Sequence, residues 1–140
     1  MNTQNYQNHR RLHPIFHYVS LPLLLVTLVG SLILLIKEGF SLASFLILVI
    51  AFLLFIAFFL LRTYSLKAQD RAIRAEENLR HYVLNGQLLD SRLTLAQIVA
   101  LRFASDAELV ELSQQAVAKK LSSDDIKKAI KNWKADHNRI

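Results

Sequence analysis

Long apolar stretches and amphipathic stretches divide the chain. Residues 15–36 and residues 41–61 contain no Asp, Glu, Lys or Arg, whereas charged and apolar residues alternate from residue 62 onward. A helix of about 20 apolar residues crosses the hydrocarbon core of a bilayer. Both stretches are therefore predicted to be transmembrane helices, because a helix that is apolar on every face must be surrounded by lipid or by a large protein core.

The two predicted spans are joined by the short sequence KEGF, residues 37–40. Gly39 favours the backbone conformation in which helices commonly stop, and Ser41 is a typical N-cap residue for the helix that follows. The first apolar stretch is also longer than the core of a cleavable signal peptide, which has about 7–15 residues. These features predict a tight transmembrane hairpin.

After the second span, small and apolar residues recur with a period near 3.5 and so share one side of a helix. They are Ala68, Ala72, Ala75, Leu79 and Tyr82. This pattern predicts that the second span continues as an amphipathic helix until Gly86, with a seam that suits packing against another helix of this chain or of a partner. Pairs at i, i+4 predict ion pairs on this helix. They are Asp70 with Arg74, Glu76 with Arg80, and Glu77 with His81.

Three shorter helices are predicted in the remaining residues. The first runs from about Thr94 to Phe103, and the second opens at Ser105, with Glu108 completing a capping box. Apolar periodicity predicts that the second helix buries Leu109, Leu112, Ala116 and Val117. Ser122 caps the last helix, which has one apolar and one basic face. The apolar face has Ile126, Ile130 and Trp133, and the basic face has Lys127, Lys128, Lys131 and Lys134.

The predicted fold class is an all-α membrane protein, in which a two-span transmembrane helical hairpin precedes a small helical cytoplasmic module. A polar N-terminal tail covers residues 1–14, the hairpin covers residues 15–61, and the cytoplasmic helical region covers residues 62–140. The two spans are separated by only a few residues. The chain is therefore expected to present almost nothing on the far side of the membrane.

Basic residues near the ends of the spans predict the orientation, because Lys and Arg concentrate on the cytoplasmic side. Arg10 and Arg11 precede the first span, and the connecting loop holds Lys37 as its one basic residue. Five basic residues follow the second span, namely Arg62, Lys67, Arg71, Arg74 and Arg80. Both termini are therefore predicted to be cytoplasmic. The net charge of +6 favours anionic lipid headgroups as partners, whereas nucleic acid is disfavoured for a chain that already enters a membrane.

The composition argues against several functional classes. Cysteine is absent, which excludes disulfides, thiolate nucleophiles and Cys-ligated metals. The spans lack the ionisable side chains that usually line an ion or proton pathway, so a stand-alone transporter is not expected. The chain has three glycines and contains neither a glycine-rich phosphate loop nor a nucleophile elbow. We therefore expect a protein that is not an enzyme and that needs no cofactor.

Three histidines stand at the entry to the first span, at His9, His13 and His17. On a helix, a spacing of four places imidazoles on one face, where they can chelate a transition metal. Pro14 disfavours helical geometry at His13, however, and the first 36 residues contain no carboxylate to complete the ligand set. Histidines also suit the headgroup layer of a membrane and titrate near neutral pH. A metal site, a pH sensor and a polar collar all remain open.

Three long segments resemble a bacterial family of small two-span membrane proteins that is described only as a domain of unknown function. The segments are NYQNHRRLHPIFHYVSLPLLL, KAQDRAIRAEENLRHYVLNGQLLDSRLTLAQIVALRFASDAEL and IKKAIKNWKADHNRI. The resemblance spans nearly the whole chain and implies the same architecture in the bacterial cytoplasmic (inner) membrane, without an established activity. Some members carry the label ABC transporter permease, which two uncharged spans without an ATP-binding loop do not support.

The same resemblance directs attention to charged and aromatic residues of the cytoplasmic region as a candidate partner or lipid surface. They are Arg71, Arg74, Glu77, Arg80, Lys127, Lys131, Trp133 and Lys134. The leading hypothesis is a non-enzymatic adaptor, assembly or regulatory subunit that binds another membrane protein or forms a homo-oligomer. The alternative is a metal- or pH-responsive membrane protein, or an accessory transporter component, that uses the N-terminal histidines.

Overall fold

The structure is a computed structural model that describes residues 4–9 and 12–136. Within these ranges the secondary structure is helical, and an isolated antiparallel bridge joins Ala104 to Trp133 without forming a strand. The elements are a π-helical segment (Ile15–Ser20), α1 (Leu21–Glu38), α2 (Leu42–Asn85), α3 (Leu95–Leu101), α4 (Asp106–Ala118) and α5 (Ser123–Ala129). The predicted all-helical secondary structure is confirmed for this part of the chain.

The chain divides into two compact units, which we call the hairpin unit and the helical module. The hairpin unit is Leu12–Leu66, and the helical module combines Met1–Arg11 with Lys67–Ile140. The described N-terminal residues 4–9 thus belong to the same unit as the C-terminal helices, although more than 50 residues separate them in sequence.

In the hairpin unit, a turn at Gly39 separates α1 from α2. Gly39 has φ +75°, a value that residues with a Cβ atom rarely adopt. The N–H of Ser44 donates to Ser41 Oγ (3.1 Å), and Ser44 Oγ donates to the Gly39 carbonyl (3.0 Å). The predicted turn at Gly39 and the predicted cap at Ser41 are therefore confirmed, but Gly39 has ψ −176° and so does not adopt the left-handed helical conformation that was expected of a helix stop.

Two helical stretches, Ile15–Glu38 and Leu42–Asn85, are long and apolar enough by length and composition to cross a membrane. Large apolar side chains along them are exposed within the hairpin unit, such as Val26 (68%) and Ile36 (73%). The small residues Ser31 and Ala51, by contrast, are buried. Small residues at such positions let neighbouring helices approach closely.

Helix α2 is continuous from Leu42 to Asn85 and ends at Gly86. Gly86 has φ +68°, and its N–H donates to the carbonyl of Tyr82 (2.7 Å), which closes the last turn. The predicted continuation of the second apolar helix as far as Gly86 is thus confirmed.

Helices α3, α4 and α5 form the core of the helical module. Its largest fully buried apolar side chains are Phe103, Ile98, Leu101, Leu109 and Ile126. Thr94 and Ser122 begin α3 and α5 with capping boxes, in which each side chain accepts from the backbone N–H three residues later. On α4, Leu109, Leu112 and Ala116 are buried as predicted, whereas Val117 is only partly buried.

The capping box predicted at the start of α4 is wrong. Ser105 precedes α4 as its N-cap residue, but its side chain makes no capping hydrogen bond. Glu108 is used elsewhere: its Oε1 accepts from the N–H of Asn132 (3.1 Å), and its Oε2 accepts from the N–H of Lys131 (3.2 Å). The N–H of Ser105, which would donate to Glu108 in a capping box, donates instead to the Asn132 carbonyl (3.1 Å).

The last helix is also shorter than predicted. Helix α5 ends at Ala129, and Ile130 has an extended backbone. The chain then runs antiparallel to the segment after α3, with the N–H of Lys134 donating to the Phe103 carbonyl (2.8 Å). Lys131 and Lys134 therefore do not continue a helical face that begins at Lys127 and Lys128.

Candidate functional site

The C-terminal part of α2 has two contrasting faces within the helical module. On the inner face Ile73, Glu77 and His81 are buried, with between 5% and 7% of each residue exposed. These residues follow one another at intervals of four and so lie on one side of the helix. The outer face consists of the predicted seam, whose members are all exposed. They are Ala68, Ala72, Ala75, Leu79 and Tyr82.

Arg80 connects the inner face of α2 to the start of α4. Its Nη1 donates to Glu77 Oε2 (3.0 Å), its Nε donates to Asp106 Oδ1 (2.6 Å), and its Nη2 donates to the Ala104 carbonyl (2.7 Å). The predicted i, i+4 partner Glu76 is not used, because Arg80 points inward whereas Glu76 is exposed. The guanidinium is thus shared among two carboxylates and a backbone carbonyl.

His81 fastens the residues after α2 to α4. Its Nδ1 lies 2.6 Å from the Gln87 carbonyl, and its Nε2 lies 3.4 Å from Ser113 Oγ. A carbonyl can only accept, so Nδ1 carries the proton and donates. The predicted pairing of His81 with Glu77 is therefore replaced by a contact with the backbone, and Glu77 binds Arg80 instead.

A cleft of about 430 Å³ lies beside His81 and Ser113. Polar residues such as Gln87 and Arg92 contribute to its lining. Ser113 Oγ lies 2.8 Å from the Val110 carbonyl and 3.4 Å from His81 Nε2, and its single proton can serve either acceptor. The two side chains fasten α2 to α4 in this geometry.

The described N-terminal residues 4–9, which we call the N-terminal strap, bind to the C-terminal part of the module. Tyr6 Oη donates to Asp124 Oδ1 (2.8 Å) near the start of α5. The N–H of Asp136 donates to Gln4 Oε1 (2.8 Å). Hydrogen bonds therefore join the two ends of the described chain.

His9 packs the N-terminal strap onto aromatic residues of the module. Its ring centroid lies 5.9 Å from Tyr6, 5.9 Å from Phe103 and 5.8 Å from Trp133. His9 Nδ1 is also 2.6 Å from the Tyr6 carbonyl. The imidazole thus fills a space between the strap and the aromatic part of the module.

The other two N-terminal histidines lie in the hairpin unit. The carbonyl of His13 accepts from the N–H of His17 (3.0 Å), and the His17 ring contacts Phe16 edge-on at 4.9 Å. Among residues 4–9 and 12–136, no group of three or more His, Cys, Asp or Glu side chains is arranged to hold a metal ion. Metal binding by His9, His13 and His17 stays a prediction, whereas the packing of His9 is an observed contact that the sequence did not predict.

The predicted partner-surface residues occupy different environments. Arg71, Arg74, Lys131 and Lys134 are exposed, and Lys127 and Trp133 are half-buried. Trp133 packs against the core of the module. Glu77 and Arg80 are engaged inside the module through the ion pair described above. Binding of a partner or of lipid by this set stays a prediction, and the four exposed residues are its most accessible members.

Several interacting residues were not singled out from the sequence. Asp106 binds Arg80, Tyr6 binds Asp124, and Asp136 forms an ion pair with Arg102 (3.0 Å). Each contact joins residues that are at least 26 positions apart, so no local spacing could reveal it. The one local signal was that Asp106 stands in the first turn of a predicted helix, where a carboxylate is favourable.

These observations define a small helical protein in which two helices are long and apolar enough to cross a membrane and a compact helical module follows. The sequence matches the model of a family of unknown function (DUF6526) over residues 1–140, and the chain therefore belongs to that family. No curated protein and no solved structure matches the chain. Family membership confirms the resemblance to an uncharacterised family and assigns no activity.

Proposed function

We propose that the protein is a non-enzymatic adaptor or assembly subunit of the bacterial cytoplasmic membrane. A two-span hairpin anchors the chain among lipids, with anionic headgroups near its basic flanks. Both termini lie in the cytoplasm, and the helical module binds another membrane protein or a second copy of the chain. The following observations support each part of this proposal.

The main support is that the helical module is formed by segments from both ends of the sequence. It contains the N-terminal strap, which precedes both candidate spans, and α3 to α5, which follow them. Tyr6 and Asp124 are hydrogen-bonded to each other across this separation. If both spans cross the membrane, their two outer ends must face the same side for this contact to form. The excess of Lys and Arg at those ends then favours the cytoplasm.

The surface of the hairpin unit favours lipid as its surroundings. Apolar side chains are exposed along both helices, whereas the apolar side chains of α3 to α5 are largely buried in the module core. Apolar surface of this extent in water would promote association. The stretches over residues 15–36 and 41–61 contain no charged side chain that would oppose insertion.

The interactions of the module support a binding role rather than catalysis. Its inward-facing ionisable groups join helices to each other, as Arg80 and His81 do. Its outward-facing residues on α2 include large apolar side chains such as Leu79 (63% exposed) and Tyr82 (53% exposed). A face of this kind is typical of surfaces that bind other proteins.

Single-cysteine labelling of the full chain tests the orientation, since the natural sequence has no cysteine. Phe40→Cys lies in the turn between the spans, Gln7→Cys in the strap and Gln114→Cys on α4; all three positions are exposed. A membrane-impermeant maleimide applied to spheroplasts should label only Phe40→Cys. After permeabilisation, it should label all three variants.

Two results would overturn the orientation. Labelling of Gln7→Cys without permeabilisation would place the strap outside, and release of the chain from membranes by alkaline carbonate would show that the hairpin does not span. Native mass spectrometry after gentle extraction tests the adaptor role. A defined oligomer or an added membrane protein is expected, and a bare monomer under the same conditions would contradict it.

A further inference from the structure

Helix α2 has an amphipathic face that its own module leaves uncovered. With 3.6 residues per turn, the outer seam of Ala68, Ala72, Ala75, Leu79 and Tyr82 points about 180° away from the buried inner face. Leu79 and Tyr82 are 63% and 53% exposed, and the neighbouring Val83 is 74% exposed. The inner face binds the module, so the outer seam is available for a different partner.

We propose that the outer seam binds the outer seam of a second copy of this chain, in parallel, as a short two-stranded coiled coil. The inference deepens the proposed membrane function and rests on it, because two copies inserted in the same orientation carry their α2 helices in the same direction. It identifies the partner of the seam and the orientation of the pair.

The spacing of the seam matches a heptad repeat. Intervals of four, three, four and three separate its residues, so that Ala72 and Leu79 take the a positions, and Ala68, Ala75 and Tyr82 take the d positions. Small side chains at 68, 72 and 75 let two helices approach closely. Large apolar side chains fill the interface towards the end of α2.

Charge complementarity identifies a second copy as the partner. In this repeat Arg71 is a g residue, and Glu76 is the e residue five positions later. A parallel pair places each g residue next to that e residue of the other helix. Arg71 would therefore meet Glu76 of the second copy, and the twofold symmetry would form this ion pair twice.

The structure leaves Arg71 and Glu76 accessible for this ion pair with a second copy. Arg71 and Glu76 are exposed, and neither forms an ion pair within the described part of the chain. The other flanking residues beside the seam are uncharged, namely Gln69, Asn78, Val83 and Asn85. A parallel pair consequently brings no like charges together at these positions.

An antiparallel pair fits less well. It places g residues beside g residues and e residues beside e residues, so the g residue Arg71 would not meet the e residue Glu76 of the second copy. The antiparallel arrangement therefore loses the symmetric pair of ion pairs. Two hairpins inserted in the same direction could not form that arrangement in one membrane.

Disulfide cross-linking of the full chain in its own membrane tests the geometry. Single variants Ala68→Cys, Ala75→Cys and Tyr82→Cys place a thiol at three d positions, which face their own counterparts in a parallel pair. All three should form a dimer on mild oxidation. The matched control Arg74→Cys, which is exposed on the same helix but lies off the seam, should stay monomeric.

Charge reversal gives a second and independent measurement. Arg71→Glu should weaken the association constant in detergent by about fivefold, because an ion pair becomes a repulsion at two symmetric positions. Glu76→Arg should have a similar effect. The double variant Arg71→Glu with Glu76→Arg should restore association, since the charges again complement each other.

The outcomes separate this inference from the proposed membrane function. Absence of a dimer at all three seam positions in membrane-inserted protein overturns the parallel pair and leaves the membrane role intact. Cross-linking of Ala75→Cys alone, or of Ala68→Cys only when mixed with Tyr82→Cys, identifies an antiparallel pair and also overturns the inference. Cross-linking of the seam to a different protein overturns it as well. Failure of membrane insertion is scored separately, by carbonate extraction.

Discussion

At the scale of single residues, the helical module depends on a few ionisable side chains with several partners each. Arg80 binds two carboxylates and a carbonyl, and its side chain is only 12% exposed. Such a group contributes most when all its partners are present, because loss of one partner leaves a buried polar group without compensation. The sequence indicated a charged helix surface here, and the fold turned one part of that surface inward.

Arg80→Ala should destabilise the module by about 3 kcal/mol, because Glu77 would remain buried without its cation. Arg74→Ala, on the exposed side of the same helix, should change stability by less than about 0.5 kcal/mol. Urea unfolding of the full chain in mild detergent can be followed through Trp133, the single tryptophan. Equal midpoints for the two variants would show that the Arg80 contacts contribute little.

Acid should weaken the module through its paired carboxyl groups. Hydrogen bonds from Arg80, assisted by its charge, lower the pKa of Asp106 below its ordinary value of 3.8. Hydrogen bonds from Lys128 and Tyr6 lower the pKa of Asp124, and those from Arg92 lower the pKa of Asp90 to about 2. A carboxyl whose pKa is lower in the folded state stabilises the fold above its unfolded pKa and loses that contribution as the pH falls.

The unfolding midpoint should therefore be steady above about pH 4 and fall between about pH 4 and pH 2, the range set by these carboxyl pKa values. Asp106→Asn should make this fall shallower, because an amide does not titrate. Fluorescence of Trp133 at a series of pH values measures both curves. An Asp106→Asn curve as steep as that of the unaltered chain would contradict the role of this pair.

At the scale of helices, the starts and stops were the most predictable features. Gly39, Gly86, Thr94 and Ser122 all act where their residue types predict, because capping and positive φ depend on a few neighbouring atoms. The box at Ser105 and the end of the last helix were predicted wrongly. In both cases the cause is the segment after Ala129, which is extended rather than helical. The tertiary fold brings its backbone N–H groups to the Glu108 carboxylate and the Phe103 carbonyl.

The difference between the N-caps at Ser122 and Ser105 can be measured as a difference in the free energy of unfolding. Ser122→Ala should destabilise the module by about 1 kcal/mol, because it removes a side-chain acceptor from the N–H of Asp125. Ser105→Ala should cost less than about 0.5 kcal/mol, because its Oγ makes no capping bond. Urea unfolding of both variants in detergent compares them. A larger loss for Ser105→Ala than for Ser122→Ala would reverse the assignment.

At the scale of the whole molecule, the contacts that matter most for function join distant parts of the sequence. The N-terminal strap lies on the module through Tyr6 and His9, and this association motivates the proposed orientation of the hairpin. The inner face of α2 binds the module and leaves the outer seam for a partner. Neither arrangement follows from a local pattern.

His9→Ala should loosen the strap and expose Trp133. The expected loss is about 1 kcal/mol, typical of an aromatic contact, with a red shift of the tryptophan emission. His17→Ala is the matched control, since its ring contacts Phe16 in the hairpin unit. An unchanged emission spectrum for His9→Ala would show that the strap does not cover Trp133 in solution.

The sequence by itself determined the helical class, the two long apolar helices, the turn at Gly39 and the continuation of α2 to Gly86. These features depend on apolar runs, periodicity and short-range backbone preferences, which are written in neighbouring residues. Only the tertiary structure decided which face of α2 is buried, where α5 stops, and that His9 packs on Trp133. Those outcomes depend on which distant surfaces bury each other, and on which carboxylate lies closest to a given cation or backbone N–H in the folded chain.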